Sequence, residues 1–402
     1  MFVHKKRPCI YCKELHAYES CPLYKKSLQA FSHKLSDEIT GASPTPFVGR
    51  FGYPKVNVGI LTPPDVKEDA WLYDAPRYWE AKHFSIPQVV GLRGQLVNAR
   101  QAVNIKQPSR FVEHAQEIAM ASRPADVEIS LHKRPVIRLH TNTHHAPFGP
   151  VAQVKSLAVT SNTKVHTKVD KVVADTDFKA VDAMNYLFSR GFDENIIARL
   201  LSVGTLGIGK DRKLVPTRWS ITATDDTIGK QLIQEIKKYP EHEYALYFGE
   251  YLGNYYLLFF FPDVWSYELF EAYLPNKPVG YYRYSTDYEP YAGRKNYAEQ
   301  CAGGYYTVRL AILEELKRVR RQASVLALRF ITDEYALPLG VWVTRQAARR
   351  ATKIAMFPDQ NTMFTYAQSF IKQYFSVDLA YFFKRSKMLT TMRTQTKLSS
   401  FL

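Results

Sequence analysis

No stretch of this chain approaches the roughly 20 consecutive apolar residues that a membrane-spanning helix needs. The nearest run, Tyr255-Tyr256-Leu257-Leu258-Phe259-Phe260-Phe261, is short and ends at Pro262. The opening Met1-Phe2-Val3-His4-Lys5-Lys6-Arg7 leads into no signal-peptide hydrophobic core, so a cytoplasmic protein is expected, with no membrane partner. Cysteine is scarce: of 4 in 402 residues, three fall at Cys9, Cys12 and Cys21, and Cys301 stands alone. A disulfide framework in a chain this long would not be distributed in that way. Acid is outnumbered, with Asp+Glu 38 against Lys+Arg 54, and none follows Asp378. There is neither a Walker lysine pattern nor a dinucleotide fingerprint, so nothing marks a nucleotide cradle.

What is present is ample core material. Apolar residues make up 46%, including Tyr 27 and Phe 23, and the length exceeds a typical single domain. The formal charge of +16 points to an anionic partner. It is concentrated between Lys317 and Lys353, where Lys317, Arg318, Arg320, Arg321, Arg329, Arg345, Arg349, Arg350 and Lys353 face only Asp333 and Glu334. Helices built from this segment are expected to follow a phosphate backbone, unless they only present a solvated face.

Near the N-terminus, Cys9, Cys12, His16 and Cys21 supply four soft or borderline ligands, the set that tetrahedral zinc prefers. The spacing is one residue short of a zinc knuckle between Cys12 and His16, and His4 is an alternative fourth ligand. So small a module would draw most of its folding energy from the metal. Tyr11 and Tyr18 offer flat faces for stacking on a base.

A helix from Leu23 to Ile39 is expected to precede a linker, Gly41-Ala42-Ser43-Pro44-Thr45-Pro46. The glycine-rich Phe47–Gly59 stretch then offers Arg50 and Lys55 to a phosphate or carboxylate, or serves as a tight turn into a strand. Helices are expected over Val90–Val103 and Phe111–Ala121, and strands over Val127–Leu131, Val136–Leu139, Val151–Val159 and Val169–Val173. His140, His144 and His145 fall in a loop before Pro147, where His144 and His145 are candidates for proton transfer or metal binding. Asn185–Ser202 reads as helix. A strand over Arg218–Ala223 would deliver Asp225 and Asp226 to its end beside Lys213 and Arg218. That arrangement would suit a second divalent metal on the carboxylates and a phosphate on the cations, although acids at the start of a helix from Thr227 to Lys238 are also simply what capping demands.

Glu243–Gly249 and Tyr255–Phe261 read as a hairpin turning at Gly253-Asn254. The aromatics Tyr281, Tyr282, Tyr284, Tyr288, Tyr291, Tyr305 and Tyr306 either stack on bases or pack a loop. Helix Thr307–Arg321, strand Ser324–Ile331 and helices Ala347–Ile354 and Thr365–Phe370 follow. The elements predict an α+β fold with a mixed or antiparallel sheet and surrounding helices. Residues 1–40 would form a small zinc module and helix, 41–383 the body as one domain or two packed subdomains, and 384–402 a flexible basic tail.

The tail ends Gln395-Thr396-Lys397-Leu398-Ser399-Ser400-Phe401-Leu402. One helical turn would set Leu398, Phe401 and Leu402 on one side to fill an apolar pocket, with Gln395 hydrogen bonding at its rim. This resembles the peptide by which repair and replication proteins attach to the sliding clamp. With Cys9, Cys12 and Cys21, the Arg50–Gly59 stretch and the Val215–Asp226 block, the chain resembles the archaeal Nre proteins, a family implicated in DNA repair. The resemblance implies repair of DNA damage in an archaeal cell, association with chromosomal DNA, and PCNA as partner. It supplies no catalytic set. Three functions follow: a clamp-recruited factor contacting DNA through the zinc module and basic surface, a metal-dependent nuclease or phosphate-ester hydrolase using Asp225, Asp226, His144 and His145, or a non-enzymatic adaptor.

Overall fold

The computed structural model of the chain describes residues 9, 21, 31, 35–65, 68–274 and 282–394. They divide into two compact units, one running up to Ile228 and taking back Ala336–Trp342, the other comprising Gly229–Tyr335 and the chain from Val343 onward. Each is built on a six-stranded mixed sheet with helices, an α+β architecture.

In the first unit the strands are β1 (Glu38–Ser43), β2 (Thr45–Val48), β3 (Lys55–Thr62), β4 (Val97–Asn104), β5 (Ala125–Leu131) and β6 (Val151–Val159), in the order β1-β5-β6-β4-β3-β2. Only the β4–β6 pairing is parallel. Along β5 every second residue, Ala125, Val127, Ile129 and Leu131, is buried, the two-residue period of a half-buried strand. Helix Arg110–Met120 closes over this face with Phe111, Val112, Ala115, Ile118 and Ala119. It begins where the Ser109 hydroxyl accepts the Val112 N–H, leaving one fewer orphan donor at its first turn.

Several expected elements are corrected here. The expected linker at 41–46 is sheet: Gly41 pairs with Val127 and Pro46 with Ile60, while Pro44 separates β1 from β2. The helix expected over Val90–Val103 stops at Arg93, with Gly94 as its C-cap, and β4 follows. Val169–Val173 is not a strand but part of helix Thr167–Ala174. Its Val169 and Val172, three residues apart, share the buried face, and the His166 ring accepts the Lys168 N–H at its start. Within Asn185–Ser202 the chain makes two helices, Ala180–Ser189 and Glu194–Ser202, the second capped by Asp193.

The second unit has β7 (Tyr244–Tyr251), β8 (Asn254–Phe261), β9 (Ser266–Tyr273), β10 (Arg283–Glu289), β11 (Ser324–Ile331) and β12 (Thr352–Phe357), in the order β10-β9-β11-β8-β7-β12. All eight residues of β11 are buried, because it lies between β9 and β8 and both sheet faces are covered. One face packs against helices Gln360–Ile371, Ala380–Phe383 and Lys387–Thr394. On the other, Tyr305 of helix Ala302–Val319 meets Tyr267 of β9 with ring centroids 5.0 Å apart. Helix Trp342–Arg349 and β12 replace the helix expected over Ala347–Ile354. No helix is long and apolar enough to cross a membrane among the described residues.

Candidate nucleic-acid interface

The first unit gathers cations and aromatic rings around the hairpin that joins β2 to β3. Its loop turns at Gly52, whose φ of +83° suits a residue without a side chain, and closes with Lys55 N–H donating to Gly52 O at 2.8 Å. Gly49 N–H is engaged with Asn57 O at 2.8 Å. With these two donors committed internally, Arg50 and Lys55 bring charge to the loop through their exposed side chains.

The loop is fixed to a distant segment. Val48 N–H donates to Thr217 Oγ1 at 2.9 Å, and Thr217 opens helix Thr217–Ile236 directly after Pro216. The strand expected over Arg218–Ala223 is therefore helical. The β-branched run favours a strand locally, but Ser220, Thr224 and Ile228 are buried at four-residue spacing, so tertiary packing decides. Asp225 and Asp226 then lie within the helix, Asp225 wholly buried and Asp226 half-buried, rather than at a strand end. At the helix start, Trp219 meets Tyr53 of the hairpin with ring centroids 5.3 Å apart at 58°. The Arg50 guanidinium lies 4.8 Å over the Phe51 ring. Phe51 is 77% exposed, and Tyr53 and Trp219 are each 43% exposed. Lys213 is also exposed. Backbone bonds from Ile105 N–H to Pro54 O, 3.0 Å, and from Leu214 N–H to Ile105 O, 2.9 Å, set it beside the base of the hairpin.

His144 and His145 occupy a loop closed by the His140–Phe148 bridge, as expected for this stretch. His144 N–H donates to Asn142 Oδ1 at 2.8 Å, and His145 Nδ1 donates to Ala146 O at 2.9 Å, which fixes that ring's proton on Nδ1. The His145 ring stands edge-on to Phe47, 4.8 Å away. The segment Ala336–Trp342 pins the loop: Val341 N–H donates to His144 O at 3.2 Å, and a Cβ on Gly340, φ +98°, would meet the His145 backbone at 2.5 Å.

Both histidines are driven down to a pKa of about 4. Burial is the largest cause for each. Arg218, His145 and Arg50 then act on His144, while on His145 the hydrogen bond to Ala146 opposes the shift and Arg93, Arg218 and Arg50 add to it. Arg93 is structural, donating to Pro147 O at 2.6 Å, to Tyr73 O at 2.9 Å and to Asp74 at 2.8 Å. Burial leaves the rings neutral at pH 7, and the leading charges at this loop are cationic, a field that favours an anion. Arg50, Arg218, His144 and His145 thus share one neighbourhood.

Elsewhere, the basic segment is largely committed to the fold of the second unit. Arg329 and Arg345 are buried, Arg329 binding Glu271 and the Asn254 side chain. Arg349 makes two 2.8 Å bonds to Glu314, Arg318 pairs with Glu315 at 2.7 Å, and Lys317 with Glu235 at 2.8 Å. Among the expected stacking aromatics, Tyr305 and Tyr306 are buried and Tyr282 packs on Tyr381 and Phe382. Cys9 and Cys21 are buried, whereas Cys12 and His16, and the tail residues Gln395, Leu398, Phe401 and Leu402, lie outside the described residues. No group of three or more His, Cys, Asp and Glu placed to hold a metal occurs among the described residues. Sequence reasoning missed Phe51, Tyr53 and Trp219. Their one visible signal was proximity to Arg50, Lys55 and Arg218.

Two family models match the chain, "Archaeal Nre, N-terminal" over residues 15–278 and "Archaeal Nre, C-terminal" over 289–401. It is 35% identical over 400 residues to DNA repair protein NreB of Archaeoglobus fulgidus, covering 96% of this chain and 98% of that protein. It is 36% identical over 386 residues to DNA repair protein NreA of Haloferax volcanii, covering 91% of each. No solved structure matches.

Proposed function

The chain belongs to the archaeal Nre family, and on that premise we propose that it acts in DNA repair as a DNA-binding factor brought to its site by the sliding clamp. The DNA-contacting surface is the hairpin patch of the first unit, with Arg50, Lys55, Lys213 and Arg218 meeting phosphates. The observation that carries this reading is the gathering of exposed Arg50, Lys55 and Lys213 with the exposed rings of Phe51, Tyr53 and Trp219 around one hairpin. A hydrolase built on Asp225 and Asp226 receives less support, since Asp225 is buried in the middle of a helix. The tail Gln395–Leu402 is the proposed clamp peptide. Zinc is the proposed structural metal: Cys9 and Cys21 are buried thiols, as a closed site requires, and Cys12 with His16 would complete a tetrahedral set.

The test is anisotropy titration of labelled DNA at fixed salt. Arg50→Ala with Arg218→Ala is expected to weaken binding about tenfold or more, since each lost phosphate contact removes counterion release. Undiminished affinity in the folded double variant would show that DNA is held elsewhere.

A further inference from the structure

The hairpin patch combines charge with flat apolar surface in a way that phosphate tracking alone does not require. A protein following duplex backbone needs cations, and large exposed rings among them would only add apolar surface to water. Here Phe51, at 77% exposure, projects from the loop beside Arg50, and Tyr53 and Trp219 expose 43% each next to Arg218. The Tyr53 and Trp219 rings meet at 58° rather than lying face to face, so neither hides the other. The Arg50 guanidinium sits over one face of the Phe51 ring at 4.8 Å, an arrangement that holds the ring while its opposite face can be used.

Rings and guanidinium groups are what unstacked bases pack against, whereas the bases of a duplex are stacked on one another and offer only their edges. We infer that this surface takes a single-stranded segment of DNA, its bases against Phe51, Tyr53 and Trp219 and its phosphates toward Arg50, Lys55 and Arg218. Charge complementarity selects this occupant over an apolar protein partner: cations flank the rings, and the adjacent loop carries two neutral histidines whose leading electrostatic neighbours are also cationic. The inference rests on the DNA-binding reading above and specifies which form of DNA is held.

The experiment compares the full chain binding a short single strand, the matched duplex, and a strand of the same length lacking bases. A 2-aminopurine placed in the single strand reports stacking directly, through quenching that loss of charge alone does not mimic. The wild type is expected to favour the single strand over the other two by roughly tenfold or more, in line with the stabilisation of one or two stacked bases. Phe51→Ala with Trp219→Ala should remove that preference and the quenching while leaving duplex affinity within about twofold, and Phe51→Tyr should retain both. Arg50→Ala with Arg218→Ala should weaken all three ligands. Equal affinity for strand and duplex in the wild type, or quenching that survives in the aromatic double variant, overturns the single-strand assignment but leaves DNA binding standing. Absence of binding to any of the three ligands overturns both.

Discussion

Arg309 and Glu289 form an ion pair of 2.6 Å whose side chains are 2% and 1% exposed, buried within the second unit. Glu289 also accepts hydrogen bonds from Trp265 Nε1 and the Tyr305 hydroxyl, each at 3.1 Å, so the charge is well solvated by protein. Removing one partner strands the other. Arg309→Met is expected to cost about 3–5 kcal/mol in chemical denaturation, and adding Glu289→Gln should recover part of that loss. If the two losses simply add, the residues are not energetically coupled.

The histidine pair sets a pH signature. Its folded-state pKa values, near 4, lie below the ordinary 6.5, so between these limits the unfolded chain binds protons that the folded site refuses. The contribution to stability is therefore present above about pH 6.5 and lost as pH falls toward 4. His144→Asn with His145→Asn should flatten the decline in melting temperature over that interval. A profile that is unchanged in the double variant would contradict it.

DNA should reverse this preference. Phosphate placed against Arg50 and Arg218 offsets the repulsion that, with burial, keeps the rings neutral. Binding would then draw in protons, and affinity should rise as pH falls from neutrality toward the lower histidine values, more in the wild type than in the double asparagine variant. Parallel pH profiles for the two proteins would place the histidines away from the DNA.

Metal analysis of the purified chain should find about one zinc per molecule, lost when Cys9 and Cys12 are replaced by serine. The structure leaves both Cys9 and Cys21 buried, so loss of metal should also lower the thermal stability of the surrounding segment. Full zinc occupancy in the double variant would rule out this ligand set.

Phe401→Ala with Leu402→Ala should abolish clamp binding in calorimetry without changing the melting temperature. Helix Lys387–Thr394, which precedes the peptide, is anchored independently of it: Met388 and Leu389 are buried, and the N–H groups of Lys387 and Met388 each donate to Glu268 at 3.0 Å. Retained clamp affinity would refute the assignment of the tail.

The elements most legible in the sequence were those whose local pattern and final packing agree. Ser324–Ile331 is apolar enough to be a central strand and is one, and Gly253-Asn254 marks the β7–β8 hairpin because the chain must reverse there, with φ of +73° at Gly253. Helix Arg110–Met120 shows its buried face at helical spacing. Where burial overrode propensity the reading failed, as with the valines of Thr167–Ala174 and the threonines after Pro216. The site was legible only in pieces. Arg50, Arg218, His144 and His145 each stood out by residue type, but their neighbourhood depends on the Val48–Thr217 hydrogen bond, which joins residues 169 positions apart. No local pattern encodes that distance.

Burial of Arg329 and Arg345, together with the pairing of Lys317, Arg318 and Arg349 with carboxylates, commits five of the nine cations between Lys317 and Lys353 to the second unit rather than to phosphates. The ions displaced on binding should then reflect the hairpin patch rather than the whole chain. With Arg50, Lys55, Lys213 and Arg218 neutralising phosphates of a single strand, log affinity should fall against log salt with a slope of about −3, so the protein would let go of DNA far less abruptly on salt addition than its net charge suggests.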